Sequence, residues 1–158
     1  MPLSIRQAGV ADAALVHRFI VDLARFEQRE AEIVSRVEDV ARDLGATPPA
    51  FFCDIAEWAG EPAGFALWFY TYSTFQGRRG IWLEDLYVRP ELRGKGIGKA
   101  LLGHLARRCR EEGLGRLAWW VLDWNADAIA FYEAQGAVLQ DEWTVCRVDG
   151  AALERLGA

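Results

Sequence analysis

The chain has 158 residues, of which 52% are hydrophobic and 26% are charged. This composition excludes a disordered polar chain, and the length is that of one ordinary domain, so we expect a single domain over residues 1–158. The net charge of -5 disfavours a nucleic-acid partner, because nucleic acids require a basic surface. No apolar run approaches the roughly 18 residues of a membrane span, and we expect a cytoplasmic protein with no membrane partner.

The cysteines and histidines show no metal-ligand spacing. Cys53, Cys109 and Cys146 form no C-x-x-C pair, and His17 and His104 stand in unrelated segments. The sequence therefore predicts reduced, buried thiols and no metal site.

The first half of the chain predicts a strand, two helices and a hairpin. "LSIRQA" is a short edge strand, helix-spaced apolar residues follow over 9–30, and "SRVEDVARDLG" is a shorter helix that ends at Gly45. The β-rich runs "AFFCDIAEW" and "AGFALWFYTYS" are joined by a short turn, which favours an antiparallel hairpin.

In the second half, strands alternate with helices. "GIWLEDLYVRP" is a strand stopped by Pro90, a glycine turn leads into a helix that ends near Glu112, and "RLAWWVLDW" is a further strand. "NADAIAFYEAQG" is a helix, and "AVLQDEWTVCRVDG" predicts a final hairpin before a short terminal helix. Because an antiparallel hairpin precedes these alternating units, we expect an α/β (α+β) fold with a mixed sheet.

The turn "RGKGIG" over residues 93–98 is the strongest local signal for a ligand. A Rossmann fingerprint fails because Lys99 stands in place of the third glycine, and a P-loop fails because Ala100 follows Lys99 and Arg93 replaces the first glycine. Glycines at a helix N-terminus let backbone amides approach an anion closely. From spacing alone, an anion cradle and a plain flexible turn before a core helix remain equally open.

Two blocks of the sequence resemble the GNAT superfamily of N-acetyltransferases. "LEDLYVRPELRGKGIGKALL" matches its acetyl-CoA motif R/Q-x-x-G-x-G/A, with Arg93, Gly96 and Gly98 in the required places, and "NADAIAFYEAQGA" matches its second motif. The segments "DLARFEQ", "GFALWFYTYS" and "EWTVCRVD" extend the resemblance to the diamine (spermidine/spermine) N-acetyltransferase family over nearly the whole chain. It implies a GNAT fold: a mixed, mostly antiparallel central sheet, splayed between the fourth and fifth strands and flanked by helices. It also implies a homodimer.

The resemblance implies acetyl-CoA as the cosubstrate and indicates where it binds. The pantetheine arm pairs with the backbone of Leu86, Tyr87 and Val88, like an added strand. The amides of the turn hold the pyrophosphate, and these residues are Arg93, Gly94, Lys95, Gly96, Ile97, Gly98 and Lys99. Asn125 caps its helix, a role that is compatible with a position near the cofactor.

Acetylation of an amine requires a neutral nitrogen, a polarised thioester carbonyl and a proton for the departing thiolate. By resemblance, Glu84 is the base that deprotonates the amine through water, and Tyr132 protonates the coenzyme A thiolate. A backbone N–H near Leu86 polarises the carbonyl. The plainer alternatives are a solvent-facing strand carboxylate for Glu84 and an amphipathic packing role for Tyr132.

Glu27, Glu84 and Asp85 are the expected substrate-binding residues. Glu27 matches a family position at the substrate end, and a solvated helix face explains it equally well. Strand alternation sends Glu84 and Asp85 to opposite faces, so a solvent-facing Asp85 is as consistent with the pattern as a functional one.

The expected function is acetyl transfer to a primary amine of a small diamine, a polyamine or a thialysine-like amino acid. The family's polyamine-binding segment usually carries an acidic residue and a tryptophan, where this chain has Ser73, Thr74 and Phe75. This departure disfavours long polyamines, because a distal ammonium loses a charge-assisted contact. The alternatives are an enzyme acting on a protein or peptide amine, and a non-catalytic acyl-CoA-binding module.

Overall fold

The computed structural model describes residues 2–158, which form two compact units divided between Trp120 and Val121. The first unit is a five-stranded sheet in the order β1-β2-β3-β4-β5. Its strands are β1 (Leu3–Gln7), β2 (Phe52–Trp58), β3 (Glu61–Ser73), β4 (Arg78–Val88) and β5 (Leu117–Ala118). All neighbours are antiparallel except β4 and β5, which are parallel. The mixed, mostly antiparallel sheet expected from the sequence is confirmed.

The predicted hairpin is formed by β2 and β3. Ala59 and Gly60 connect the strands, and both have positive φ angles, 50° and 84°. Positive φ at both central residues is the backbone of a two-residue turn whose twist matches that of the flanking strands. The turn fixes the register, in which Trp58 pairs with Glu61.

The β4–β5 pairing is short, and it leaves half of β4 with an open edge. Only Ile81 with Leu117 and Trp82 with Ala118 are paired. The strand predicted over 116–124 is therefore wrong in length, because its partner strand diverges after Trp82. From Leu83 to Val88, the pairs that β4 forms are with β3, and Glu84 is left unpaired. This is the splay that the resemblance implies.

Helices cover both faces of this sheet. They are α1 (Ala13–Phe26), α2 (Val37–Leu44) and α3 (Ile97–Glu112). Cys53 and Ile55 of β2 belong to the buried cluster formed with α1 and α2. Asp54, which lies between them on the strand, has its carboxylate 3.5 Å from His104 of α3. Since successive side chains of a strand point to opposite faces, α3 packs on the face opposite α1 and α2.

The core is made by the apolar faces that the sequence pattern indicates. Val16 and Phe19 of α1 are fully buried, and the Phe19 ring stacks 5.4 Å from that of Phe65 in β3. On α3 the predicted stripe is buried along its whole length, by Ile97, Leu101, Leu105 and Cys109. The helix stops at Gly113, which has a positive φ of 69°.

The second unit, residues 121–158, contains α4 (Ala126–Ala134) and α5 (Gly150–Leu156). The hairpin predicted over 137–150 is wrong, since no strand is found among the residues of this unit. Val138, Trp143, Val145 and Val148 of this segment are exposed. A two-stranded ribbon that buries neither of its faces is at most marginally stable, which accounts for the irregular backbone.

The cysteines divide into two classes. Cys53 and Cys109 are buried, as predicted, and burial raises the pKa of both thiols. Cys146 is exposed, so the prediction of a buried thiol is wrong there. Cys146 lies in the irregular segment of the second unit, where the predicted hairpin does not form.

Candidate active site

A β-bulge in β4 determines where its carboxylates point. Asp85 is paired with Leu67 and Leu83 with Trp68, so Glu84 is an extra residue with no partner on β3. A bulge of this kind interrupts strict alternation. Neighbouring pairs therefore place Trp82 and Asp85 on the same face as Leu67, the face packed by α1. Because Glu84 is unpaired at the bulge, the strict alternation behind the expectation of opposite faces for Glu84 and Asp85 does not hold here.

The Glu84 side chain is held by an aromatic neighbour. Its Oε2 accepts a hydrogen bond of 2.8 Å from the indole Nε1 of Trp82. Trp82 in turn lies edge-on to Trp120, with ring centroids 5.6 Å apart. Sequence reasoning did not single out Trp82, although its spacing of two residues from Glu84 on a strand is the signal that identifies it.

Three carboxyl groups interact at this face. Burial, followed by the neighbouring charges of Glu84 and Glu27, raises the pKa of Asp85 to about 7. Burial also raises the pKa of Glu27, and Arg29 opposes that effect. Like charges that share a partly buried region disfavour ionisation, and a bound cation relieves the repulsion. The cluster formed by Glu27, Glu84 and Asp85 is thus suited to an ammonium ligand.

Glu27 reaches this cluster through the way α1 ends. It is the residue that follows the helix, and the next residue, Gln28, has a positive φ of 61°. The Gln28 amide donates to the Arg25 carbonyl at 3.1 Å, and the Arg29 amide donates to the Ala24 carbonyl at 2.8 Å. These two bonds form a Schellman motif with glutamine in the position that glycine usually fills.

Successive residues of β4 direct their backbone N–H and C=O groups alternately toward β3 and toward the open edge. The Arg89 amide donates to the Ala63 carbonyl of the neighbouring strand at 2.8 Å. Because backbone groups alternate in direction along a strand, those of Tyr87 also face β3, while those of Leu86 and Val88 face the open edge. Of the three residues expected to pair with a pantetheine arm, Leu86 and Val88 have the required orientation.

The glycine turn leads from this edge into α3. Gly94 and Gly96 have φ values of 81° and 82°, in a region that favours glycine, and Gly96 is the residue before the helix. The amides of Ile97, Gly98 and Lys99 begin a helix of 16 residues, where backbone N–H groups have no helical acceptors. This arrangement fits a pyrophosphate by hydrogen bonding and by the helix dipole.

The basic side chains of the turn differ in their contacts. Arg93 donates from Nε to the Val88 carbonyl at 3.0 Å. The Nζ atom of Lys95 lies 5.3 Å from the centroid of the Trp58 ring, within range of a cation–π interaction. Lys99 is exposed in the first turn of α3.

Tyr132 and Asn125 belong to the second unit. The Asn125 side chain accepts a hydrogen bond of 3.2 Å from the Ala128 amide, so its predicted role as the cap of α4 is confirmed. Tyr132 lies in α4, with its ring centroid 5.5 Å from that of Phe131. The structure thus brings Glu27, Glu84 and Asp85 together with the glycine turn in one unit, and places the other two candidates in the second.

Within residues 2–158, no group of three or more histidine, cysteine, aspartate or glutamate side chains is arranged to hold a metal ion. None of the helices in this described part of the chain is long and apolar enough to cross a membrane.

Comparison with known proteins gives a consistent result. Residues 17–137 match the acetyltransferase (GNAT) family. A thialysine N-epsilon-acetyltransferase of Caenorhabditis elegans is 38% identical over 140 residues, which cover 86% of this chain and 85% of that protein. The thialysine N-epsilon-acetyltransferase of Bos taurus is 35% identical over 163 residues, covering 96% of this chain and 95% of that one. Among solved structures, an integron cassette protein from the mobile metagenome of V. cholerae superposes with a TM-score of 0.84 at 25% identity, covering 99% and 98% of the two chains. The chain therefore belongs to the acetyltransferase (GNAT) family, whose members use acetyl-CoA, and it is an N-acetyltransferase.

Proposed function

We propose that the chain transfers an acetyl group from acetyl-CoA to the primary amine of a small diamine, polyamine or thialysine-like amino acid. The observation that carries this proposal is the carboxyl cluster, in which Glu84 and Asp85 lie on the strand that leads into the glycine turn and Glu27 follows α1. The relatives named as thialysine acetyltransferases support a substrate of this size and charge.

The cluster is proposed to select a cationic substrate. An alkylammonium group has a pKa near that of lysine, about 10, and arrives protonated. Glu27 and Asp85 bind the cation, and its charge offsets the two causes that raise the pKa of Asp85, which are burial and then repulsion by Glu84 and Glu27. Arg25 and Arg29, near the same helix end, are paired with Glu30 and Glu32 at 2.9 Å, which limits their competition for the carboxylates.

In the proposed transfer, Glu84 accepts a proton from the ammonium through a water molecule. Its hydrogen bond from Trp82 fixes the carboxylate while the other oxygen remains available to that water. The neutral nitrogen then forms a bond to the thioester carbon, the bond from that carbon to sulfur breaks, and the second nitrogen proton passes to solvent water. The Leu86 amide, at the open edge of β4, stabilises the charge on the carbonyl oxygen. Tyr132 donates its phenolic proton to the departing thiolate.

The catalytic assignments are tested by Glu84→Gln and Tyr132→Phe in steady-state assays of thiol release. Each variant is expected to lower kcat by about 10²- to 10⁴-fold, the usual contribution of a general base or acid. The Glu84→Gln loss is expected to shrink at about pH 9, where more of the amine is already neutral. Turnover equal to that of the wild type in both variants would exclude these roles.

The substrate class is tested with a panel of acceptors. It comprises a short diamine, spermidine, thialysine, lysine and a lysine-containing peptide. Turnover of the small amines alone supports the proposal, and preference for the peptide would replace it with a protein acetyltransferase. Binding of acetyl-CoA without turnover of any acceptor would favour a non-catalytic module.

We also propose that residues 1–158 act as one catalytic domain and that two chains form a homodimer. The family match over residues 17–137 crosses the division between the two compact units, which supports a single functional domain. Light scattering should give about twice the chain mass of 17.7 kDa. A mass equal to that of one chain would contradict the dimer.

A further inference from the structure

The side chain of Arg93 connects the glycine turn with the end of α1. Its Nε donates to the Val88 carbonyl at 3.0 Å, and its guanidinium carbon lies 4.7 Å from the centroid of the Phe26 ring. The same carbon lies 5.7 Å from the Tyr87 ring. Arginine over an aromatic face at these distances makes a favourable cation–π interaction. One side chain therefore contacts the turn, β4 and α1.

Phe26 links the Arg93 contact to the carboxyl cluster through its neighbour Glu27. Phe26 is the last residue of α1, and Glu27 follows it directly. Glu27 is one of the two carboxylates whose charge affects Asp85. Phe26 lies at the surface of the first unit, 43% exposed, where its ring is in reach of Arg93. One helix end therefore carries both the Glu27 carboxylate and the ring that Arg93 contacts.

The second contact of Arg93 lies on the cofactor side. The Val88 carbonyl belongs to the open edge of β4, as does the backbone of Leu86. Because Arg93 donates to this carbonyl, it holds the end of the open edge against the turn that follows it. A charged donor to a carbonyl is a stronger hydrogen bond than a neutral one.

We propose that Phe26 and Arg93 are positioning residues that join the acetyl-CoA side of the site to its amine side. The inference rests on the proposed function and adds to it two roles: a residue of α1 that affects the cofactor, and an arginine of the turn that affects the amine. The side chain of Arg93 acts through Phe26 and Val88, and its backbone amide remains available to the pyrophosphate.

The test is a double-mutant cycle with Phe26→Leu and Arg93→Met. Phe26→Leu keeps an apolar side chain but removes the ring face, and it is expected to raise the KM for acetyl-CoA about two- to fivefold, the size of an exposed cation–π contact. Arg93→Met is expected to raise the KM for both substrates, with kcat changed by less than about twofold. The KM for acetyl-CoA of the double variant should be no higher than that of Arg93→Met alone. Both substitutions remove the same contact between Phe26 and Arg93, so their effects should not add.

Two further variants separate positioning from a general loss of structure. Arg93→Lys keeps a cation near Phe26 but removes the Nε donor to the Val88 carbonyl. Compared with Arg93→Met, it should bring the KM for the amine closer to the wild-type value than the KM for acetyl-CoA. Lys99→Gln, in the first turn of α3, should raise the KM for acetyl-CoA alone, and its effect should add to that of Phe26→Leu. Thermal melting confirms that each variant is folded.

Calorimetric titration of coenzyme A distinguishes the two levels of inference. Suppose that the wild type binds coenzyme A and acetylates a small amine. The Phe26–Arg93 proposal alone is then overturned if the effects of Phe26→Leu and Arg93→Met are additive, or if Phe26→Leu leaves the KM for acetyl-CoA unchanged. If the wild type neither binds coenzyme A nor acetylates any amine of the panel, the proposed function and this inference are overturned together.

Discussion

Asp85 shows how much the chemistry of one side chain depends on its surroundings. An aspartate in water is ionised at neutral pH, but burial and two neighbouring carboxylates raise its pKa to about 7. At neutral pH the folded chain therefore holds Asp85 protonated or half-protonated. Its neighbour Glu84 accepts a hydrogen bond from Trp82. The fold thus raises the pKa of Asp85 well above that of an aspartate in water.

This difference predicts a pH-dependent stability that Asp85→Asn removes. The folded protein holds the Asp85 proton more tightly than the unfolded chain does between pH 3.8 and about 7. The free energy of unfolding therefore falls as the pH rises through this window, by at most about 1.4 kcal/mol per pH unit. Asp85→Asn should be more stable than the wild type at about pH 8, with a smaller advantage at about pH 4.

Chemical denaturation at the two pH values, without substrate, measures this change. A difference in stability between variant and wild type that stays constant across the window would show that Asp85 titrates as an ordinary surface aspartate. The neighbouring variant Glu84→Gln serves as the comparison, because it removes one of the charges that raise the pKa of Asp85 and should flatten the same slope in part.

The carboxyl cluster could be predicted from the sequence in composition but not in geometry. The "LED" segment and Glu27 identify the three acidic residues. Strict alternation sends Glu84 and Asp85 to opposite faces, and the bulge opposite Leu67 and Trp68 interrupts that alternation. No residue at this bulge is glycine or proline, so the local sequence carries no mark of it.

At the scale of elements, the end of α1 is held in a conformation that its residue does not favour. Gln28 has a left-handed φ of 61°, which costs a non-glycine residue about 1–2 kcal/mol. Gln28→Gly removes this cost and adds entropy to the unfolded chain, which offsets about 0.5–1 kcal/mol of the gain. We expect a net stabilisation of roughly 0.5–1 kcal/mol, measured as a shift in the midpoint of urea unfolding. Destabilisation would imply that the glutamine side chain makes a compensating contact.

The pairing of β3 with β4 depends on a glycine. A Cβ atom at Gly64 collides with the Tyr87 carbonyl oxygen and comes within 3.0 Å of the Val88 Cα. Gly64→Ala should therefore push β4 away, destabilise the protein by roughly 1–3 kcal/mol and raise the KM for acetyl-CoA through the displaced open edge.

Gly103→Ala is the matched control for this substitution. A Cβ at Gly103, on the exposed side of α3, meets nothing within 4 Å. Alanine in a helix interior is more favourable than glycine by about 1 kcal/mol, so this variant should be more stable than the wild type. Equal effects of the two substitutions would contradict the close approach of β3 and β4.

The elements themselves were predictable where a periodic apolar face is buried. The four-residue stripe of α3 and the two runs of the β2–β3 hairpin identify their elements correctly. The strand predicted over 116–124 and the hairpin predicted over 137–150 are also rich in apolar residues, but only Leu117–Ala118 of the first forms a strand and the second forms none. Apolar content indicates a strand, but pairing depends on a partner strand that sequence periodicity does not supply.

At the scale of the whole molecule, ligand binding should be measurable as stability. If the open edge and glycine turn bind acetyl-CoA, a concentration of about 100 times Kd adds about 2.7 kcal/mol to the free energy of unfolding. For a chain of this size the expected rise in Tm is about 5–10 °C. Adenosine, which lacks the pyrophosphate and the pantetheine arm, should give little shift. A Tm independent of acetyl-CoA concentration would contradict the proposed site.

Family membership was the most predictable property of the chain. The motif with Arg93, Gly96 and Gly98 and the block around Tyr132 imply the fold, and residues 17–137 match the family that both blocks indicate. The identity of the amine substrate is less predictable, because the side chains proposed to bind it depend for their positions on a bulge and a helix end. The contact between Arg93 and Phe26 joins residues 67 positions apart, and neither segment alone indicates it.

The distribution of cysteines has a practical consequence for experiments in solution. Cys53 and Cys109 are enclosed in the first unit, and their raised thiol pKa values make them poor nucleophiles. Cys146 is exposed in the second unit. A maleimide dye should therefore label the natural sequence at one position, without mutagenesis. Fluorescence from that dye would report on residues 121–158 while substrates are added.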